Sequence, residues 1–571
     1  LSFALPTHLF KNLTYPKITF ANAANARFFY SVNQTVLIMK NLVTLTSLLL
    51  LLAASGQAQD YILQSNLVKA GVSTNSTMFE NGQFIPQGTE LPETSLIKGA
   101  GLWIAGIDPG GNLRGAINRL NTTDFQPGVL SRVTNQPEGN LHRVWAVKCS
   151  EIATHLADYA DNGVIDMPQS AIFSFPCKGN YFFSQYNAPD AFLPFTSQTF
   201  CGYFDQSEDA HYDPNNGEYP VVEIRGCPLQ LQVAELAYTA SNDVLATSHP
   251  SGMQAMGLEV QTQVFQVNTP TLDKTVFVRY MLIYQGEVPL DSCFVGIYTD
   301  FAIGNDQDDY IGTQPASQLM YAYNGDAQDE NGLEGQTPAV GVTLLRGPLS
   351  PISDIASVEL GLQSALAVPD PSGMSPSELY NLLKGRLPDG TASPVGAFAF
   401  PGNPANNEPG TEIALGNTPG KRRGLMTMGP FVLNSGAANE IIVAYHYDYV
   451  PGATHYEQTQ GPQEITQAIR NTFDNCLLDV ESECSALTEA PEEFVETGWN
   501  LFPNPANSEA TLLSKNASFS RIVVTDVLGR TVKELKWDNP VAQYSIPLGD
   551  LPSGVYTVQA NKQTLPLVIQ R

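Results

Sequence analysis

The side chains of this chain best suited to chemistry are carboxylates. Asp205-Gln206-Ser207-Glu208-Asp209-Ala210-His211-Tyr212-Asp213-Pro214-Asn215-Asn216-Gly217-Glu218 gathers acids into one short, turn-rich stretch. Calcium takes six to eight hard oxygen ligands from a tight loop. Asp205, Asp209 and Asp213, at alternating positions ahead of a glycine turn, can supply them. The alternative is a solvated acidic turn. A second cluster, Asp300, Asp306, Asp308 and Asp309, follows the apolar run 293–299. Its simpler reading is a strand end where Asp308-Asp309 hydrogen-bonds a turn.

Enzyme signatures are otherwise missing. The sequence holds no H-E-x-x-H, no G-x-S-x-G, no G-x-x-x-x-G-K-[ST] and no G-x-G-x-x-G after a strand. His142, His155, His211, His249, His446 and His455 show no metal spacing. A glycosidase needs only two carboxylates brought together by the fold, so that chemistry stays open. Tyr181, Phe182, Phe183 and Tyr186 can stack on sugars, although packing is the commoner use of such residues. The seven cysteines show no C-x-x-C spacing, so disulfides are expected, with at least one thiol left over. The expected pair is Cys476 with Cys484, across the short polar stretch NCLLDVESEC.

The elements that must position these groups are strands. Among 571 residues, 40 Pro, 46 Gly and only 15% charged residues suit a turn-rich, mainly β protein. A net charge of −27 excludes nucleic acid as a partner, because phosphate binding needs clustered Lys and Arg. The expected body is an antiparallel β-sandwich with a few short helices, and its length suggests two units, 59–270 and 271–480. Strands are expected at 229–236, 258–267, 276–284, 293–299, 320–323, 340–345 and 441–447, with 276–284 central. Leu258, Val260 and Val264 alternate with Glu259, Gln261 and Gln263, which predicts one buried and one wet face. Gly101 to Gly106 reads as a strand running into the turn Asp108-Pro109-Gly110-Gly111. Helices are expected at 150–159, from Ser375-Pro376-Ser377-Glu378, which is a capping box with proline at the first helical position, and at 464–473.

The two ends differ from the body. Residues 1–38 have no packing period and read as an over-extended reading frame. Residues 39–58 read as a signal peptide: Lys40 supplies the positive charge, 42–54 the apolar stretch, and Gly56-Gln57-Ala58 the small residues at a cleavage site between Ala58 and Gln59. The apolar run is shorter than the ~20 residues that span a bilayer, so no integral membrane span is expected in the mature form. Residues 481–498 form a polar linker, and 499–571 read as a small all-β module with turns at Leu528-Gly529-Arg530 and Pro552-Ser553-Gly554.

Three segments of that module carry a resemblance. Phe502-Pro503-Asn504-Pro505-Ala506, Val524-Thr525-Asp526-Val527-Leu528-Gly529-Arg530 and Leu551-Pro552-Ser553-Gly554-Val555-Tyr556 stand in the order and spacing of the type A C-terminal sorting domain of the type IX secretion system of Bacteroidota. The resemblance implies a small Ig-like β-sandwich whose sorting motif includes Pro503, Asn504, Pro505, Gly529, Gly554 and Tyr556. It further implies recognition by the type IX machinery and its sortase-type peptidase, and delivery through the periplasm to the cell surface or the medium. Pro566 departs from the family pattern, and having no N–H to donate it places its strand at a sheet edge. The body, through GLWIAGID, HYDPNNGEYP, TDFAIGNDQDDYIG, YAYNGD and KRRGLMTMGPFVL, resembles a group of exported proteins of the same bacteria with no established biochemical role. In that group the acidic loop reads closer to D-x-N-x-D-G, where this chain has Ser207 for the amide and Ala210 for the glycine.

These readings give an exported structural or binding protein with a glycan or surface ligand, no required cofactor, and calcium as the one candidate ion. The rival is an extracellular hydrolase acting on glycans. N-terminal sequencing of the exported chain should start at Gln59, and a start upstream of Met39 would contradict the reading of the leader.

Overall fold

The computed structural model describes residues 60–119, 122–130, 137–138, 143–186, 200–227, 231–244, 249–353, 356–476, 499–502, 506–514, 518–526, 530–552, 554–561 and 563–569. They divide into two compact units, separated at residues 487 and 488.

The run Val276-Phe277-Val278-Arg279-Tyr280-Met281-Leu282-Ile283-Tyr284 carries large apolar groups at both odd and even positions. Such a strand must be covered on both faces. Thr275–Tyr284 is buried along its whole length. It lies between Leu258–Gln266 and Ala438–Asp448, antiparallel to each. The sheet continues outward through Glu235–Asn242 and Trp145–Lys148 on one side, and through Ala339–Arg346, Leu319–Asn324 and Asp309–Gln314 on the other. A second sheet is built around Ile97–Ile107, Leu290–Phe301 and Arg423–Leu433.

The two sheets share one core, in which Leu102, Ile104, Val295 and Met426 meet Val264, Val278, Tyr280 and Val443. Their outer faces are covered as well. On one side Phe265, Phe277, Ile442 and Ala444 pack with Ile152 of the helix Cys149–Asn162 and with Ile469 and Phe473 of the helix Gln460–Asp474. On the other, Trp103, Tyr298 and Leu425 pack with Leu379, Leu382 and Leu383 of the helix Pro376–Leu383. That helix has the expected capping box, with the Ser375 and Glu378 side chains each bonding the other's backbone. The helix read at 150–159 runs to Asn162 and stops at Gly163, whose φ of 78° is a left-handed cap.

Three expectations are corrected. Residues 59–270 and 271–480 are not separate units: Ile97–Ile107 pairs with Leu290–Phe301, and Leu258–Gln266 with Thr275–Tyr284. Both sheets draw on both halves, so neither half closes a core alone. The polar face of Leu258–Gln266 is buried rather than wet. Its residues are engaged internally: Glu259 accepts from the Leu130 N–H at 2.7 Å, and Gln263 Oε1 accepts from Arg279 at 2.7 Å while Arg279 also pairs with Glu440 at 2.7 Å, which leaves Gln263 Nε2 buried without a partner. The strand read at 229–236 begins only at Glu235 and runs to Asn242.

The disulfides differ too. Cys476 is bonded to Cys227, across 249 residues of sequence with Cα atoms 5.4 Å apart, and not to Cys484, which lies outside the described residues. Cys177 is bonded to Cys201, Cys149 is disulfide-bonded, and Cys293 is a free, buried thiol pushed up to about 12 by burial. Sequence proximity favoured a local clip. Cys476 instead follows the helix Gln460–Asp474, which packs in the same covering layer as Cys227.

The C-terminal unit is a sandwich. Trp499–Phe502, Glu509–Ser514 and Gln543–Pro547 form one sheet, and Thr531–Val541, Phe519–Asp526, Gly554–Ala560 and Gln563–Ile569 the other. Ala510, Leu512 and Ile546 meet Ile522, Val524, Val558, Leu567 and Ile569 between them. Gln563–Ile569, which contains Pro566, is an edge strand, as the missing N–H requires.

Non-reducing peptide mapping should recover Cys227 and Cys476 on one linked fragment, and Cys476→Ser should lower the body's stability by roughly 2–5 kcal/mol. A fragment linking Cys476 to Cys484 would contradict this pairing.

Candidate functional site

The acidic loop folds as a chain of local caps. Asp205 accepts from the Ala210 N–H at 2.9 Å, Asp209 from the His211 N–H at 2.8 Å, and Asp213 from the Asn215 N–H at 2.9 Å. The organising acid is Glu218, which is fully buried. Its carboxylate accepts from the Ser207 hydroxyl at 2.8 Å and the Asp213 N–H at 2.8 Å, while its carbonyl meets Nε2 of the buried His155 at 3.1 Å. Ala210 stands at φ 60°, the left-handed geometry that a glycine would take more easily. Asp205, Asp209 and Asp213 are therefore not brought together around a point. Among the described residues no three His, Cys, Asp or Glu side chains form a ready metal-ligand group.

The second acidic cluster splits. Asp300 is buried against Arg423 at 3.1 Å and Lys421 at 3.8 Å, and Asp306 pairs with Lys98 at 3.2 Å. Asp308 and Asp309 turn away from these cations, into the loop ahead of Asp309–Gln314. Of the aromatic group, Phe183 is buried, and Phe182 and Tyr186 lie against Phe173, which is packing rather than display. Tyr181 alone is well exposed.

One surface feature went unseen in the sequence. Lys274 lines two adjoining open depressions, of about 320 and 240 Å³. Thr89, Leu91, Tyr447, Tyr449 and Pro451 wall the first; Asp273, Asp448, Glu464 and Ile465 wall the second. Lys274 bonds Asp448 at 2.7 Å and lies over the Tyr447 ring, and burial raises the Asp273 carboxyl above the usual carboxylate range. These residues come from four distant segments and form no motif. Only the alternation of Tyr447, Asp448 and Tyr449 at a strand end hinted at them.

Of the tail residues singled out in the sequence, Pro503, Asn504, Pro505 and Gly529 lie outside the described residues, as do Ala58 and Gln59. Gly554 opens the strand Gly554–Ala560, and Tyr556, nearly buried, donates its hydroxyl to the Pro552 carbonyl at 2.9 Å. That bond ties the turn to the strand. Residues 500–570 match the family of secretion system C-terminal sorting domains. The C-terminal sandwich is a sorting domain. It marks the chain for export to the cell surface or the extracellular space. No curated protein matches the chain. Two solved structures are similar in part: a polysaccharide lyase, at 8% identity and a TM-score of 0.17 over 55% of this chain and 34% of its own, and the protein HI1317, at 8% and 0.20 over 68% and 92%. The chain thus spans about a third of the lyase, and at such scores neither likeness carries an argument.

Glu218→Ala strips acceptors from the Ser207 hydroxyl and two backbone N–H groups, and should cost roughly 1–3 kcal/mol. Asp209→Ala, at an exposed cap, should stay within about 0.5 kcal/mol. Thermal or denaturant melts of the two variants check this, and the reverse order would show that the loop is organised by Asp209.

Proposed function

We propose that the chain is an exported protein of binding or structural type, carried out by type IX secretion and then displayed on the cell surface or released. The sorting domain at 500–570 is the observation that carries this reading. Export through the periplasm, recognition by the secretion machinery and removal of the tail by its sortase-type peptidase follow from that domain's role. For the body, the support is the form of the depressions around Lys274. They are open, the first bordered by the half-buried Tyr449, and one carboxylate of the second is neutralised by an ion pair. A partly exposed tyrosine and hydrogen-bonding acids suit a sugar ring, which presents both apolar C–H and hydroxyl groups. A glycan of the surroundings is the ligand this favours.

A second reading rests on Asp273. Asp273 is half-buried, burial raises its carboxyl above the usual carboxylate range, and it lines the same depression as Asp448 and Glu464; a glycan hydrolase uses one carboxyl as the acid and another as the base or nucleophile. Incubation with glycans separates the two readings: a binder retains intact sugar, whereas a hydrolase releases reducing ends and loses that activity in Asp273→Asn.

Deleting residues 499–571 should leave a folded body in the periplasm, and fusing them to an unrelated exported reporter should carry the reporter outside a host that has the secretion machine. Normal arrival of the truncated chain at the surface would refute the sorting role.

A further inference from the structure

The charge lining the two depressions that share Lys274 is one-sided. Glu90 lines the first, Asp273, Asp448 and Glu464 line the second, and Lys274 is the one positive side chain of either. That lysine is already engaged. Its Nζ stands 2.7 Å from Asp448 Oδ1, with both side chains partly buried, and 5.9 Å from the centre of the Tyr447 ring. Four carboxylates against one ammonium leave an excess of three negative charges when all are ionised. Glu90 and Glu464 are exposed and Asp273 is half-buried, and none of the three is in an ion pair among the described residues.

Burial raises the Asp273 carboxyl, Lys274 lowers it, and Asp448 adds to the rise. A cation entering the second depression would favour its ionised form. Beside the acids stands apolar surface: Tyr449 and Pro451 in the first depression, Pro270 and Ile465 in the second. A ligand that fits both features has an apolar face and a positive charge. A sugar ring with a protonated amine in place of one hydroxyl has both.

We propose that the depressions around Lys274 select amino sugars whose amine is free and protonated, with ammonium groups of one oligosaccharide held at Glu464 and Asp273 and at Glu90. This rests on the reading of the body as a glycan binder, and adds the class of sugar. Uronic and sulfated glycans are disfavoured by the same charge, since they meet three unpaired carboxylates and a lysine already held by Asp448. An N-acetylated sugar keeps the ring face but loses the charge, so it binds more weakly. Because Glu90 and Glu464 face solvent, salt screens the attraction beyond ~8–10 Å, and the preference shrinks as ionic strength rises.

The test is calorimetric titration of the full chain with short oligomers of equal length: glucosamine, N-acetylglucosamine, glucose and galacturonic acid. It is run at about pH 6, where surface carboxylates are ionised and the glucosamine amine is protonated. The glucosamine oligomer should bind about five- to ten-fold tighter than its N-acetylated form, with the galacturonic acid oligomer weakest. Glu464→Gln and Glu90→Gln, both at exposed positions, should each cut that preference by about two- to four-fold. The whole chain carries a net charge of −27, so Asp209→Asn, outside both depressions, is the control and should leave the preference unchanged. An equal loss in Asp209→Asn and Glu464→Gln would overturn the proposal in favour of diffuse attraction. Equal binding of the glucosamine, N-acetylglucosamine and glucose oligomers, lost in Tyr449→Ala, would overturn it while keeping the glycan reading. Binding of none of the four would overturn both. Oligolysine binding as tightly as the glucosamine oligomer, with the same loss in Glu464→Gln, would overturn it in favour of a basic peptide.

Discussion

The body depends on a sheet whose central strands are buried on both faces. Thr275–Tyr284 has no wet side, and neither do its neighbours Leu258–Gln266 and nearly all of Ala438–Asp448. A sheet of this kind is unstable until both layers are in place, because each exposed face would leave several large aromatic and aliphatic groups in water. The inner face is met by the second sheet and the outer face by two helices and the loops between residues 145 and 227. The Cys227–Cys476 bond joins the two parts of that outer layer, which lie far apart in sequence. Arg279, Glu440 and Gln263 show the cost of the arrangement. A covered face that still carries polar side chains must draw them into internal bonds, and Gln263 Nε2 is left buried without one.

This constraint explains what could be read from the sequence. The strands were legible because β-branched and aromatic runs between Gly, Pro, Asn and Asp turns specify them locally. So were the capped helix Pro376–Leu383 and the edge placement of Pro566, since a capping box and a missing N–H act within a few residues. The burial of Gln261 and Gln263 was not legible. Alternation shows that two faces differ, but not that a later segment will cover the polar one. The joining of 59–270 with 271–480 and the choice of Cys227 for Cys476 were hidden for the same reason, as both are decided by contacts across hundreds of residues.

The sites divide along that line too. Asp205, Asp209 and Asp213 look like ligands in a linear reading, yet each is used within five residues of itself, with Glu218 beneath them as the acid that matters. Asp308 and Asp309 look like an ordinary strand end, and it is Asp329, on a separate segment, that sets a second buried acid beside Asp309. The depressions around Lys274 take residues from four segments, of which the sequence hints at one alone. The sorting domain is the opposite case: its turns and strands lie within one short stretch, so its identity was readable before its structure.

The central claim is that one doubly covered sandwich forms the body, with a sorting domain that folds by itself. Differential scanning calorimetry of the uncleaved chain, with its tail still attached, tests it most directly. The account predicts one cooperative transition for residues 60–476 and a second, smaller one for the tail that persists unchanged in the isolated 499–571 fragment. A body that melts in two separate steps, one for each half of its sequence, would contradict it.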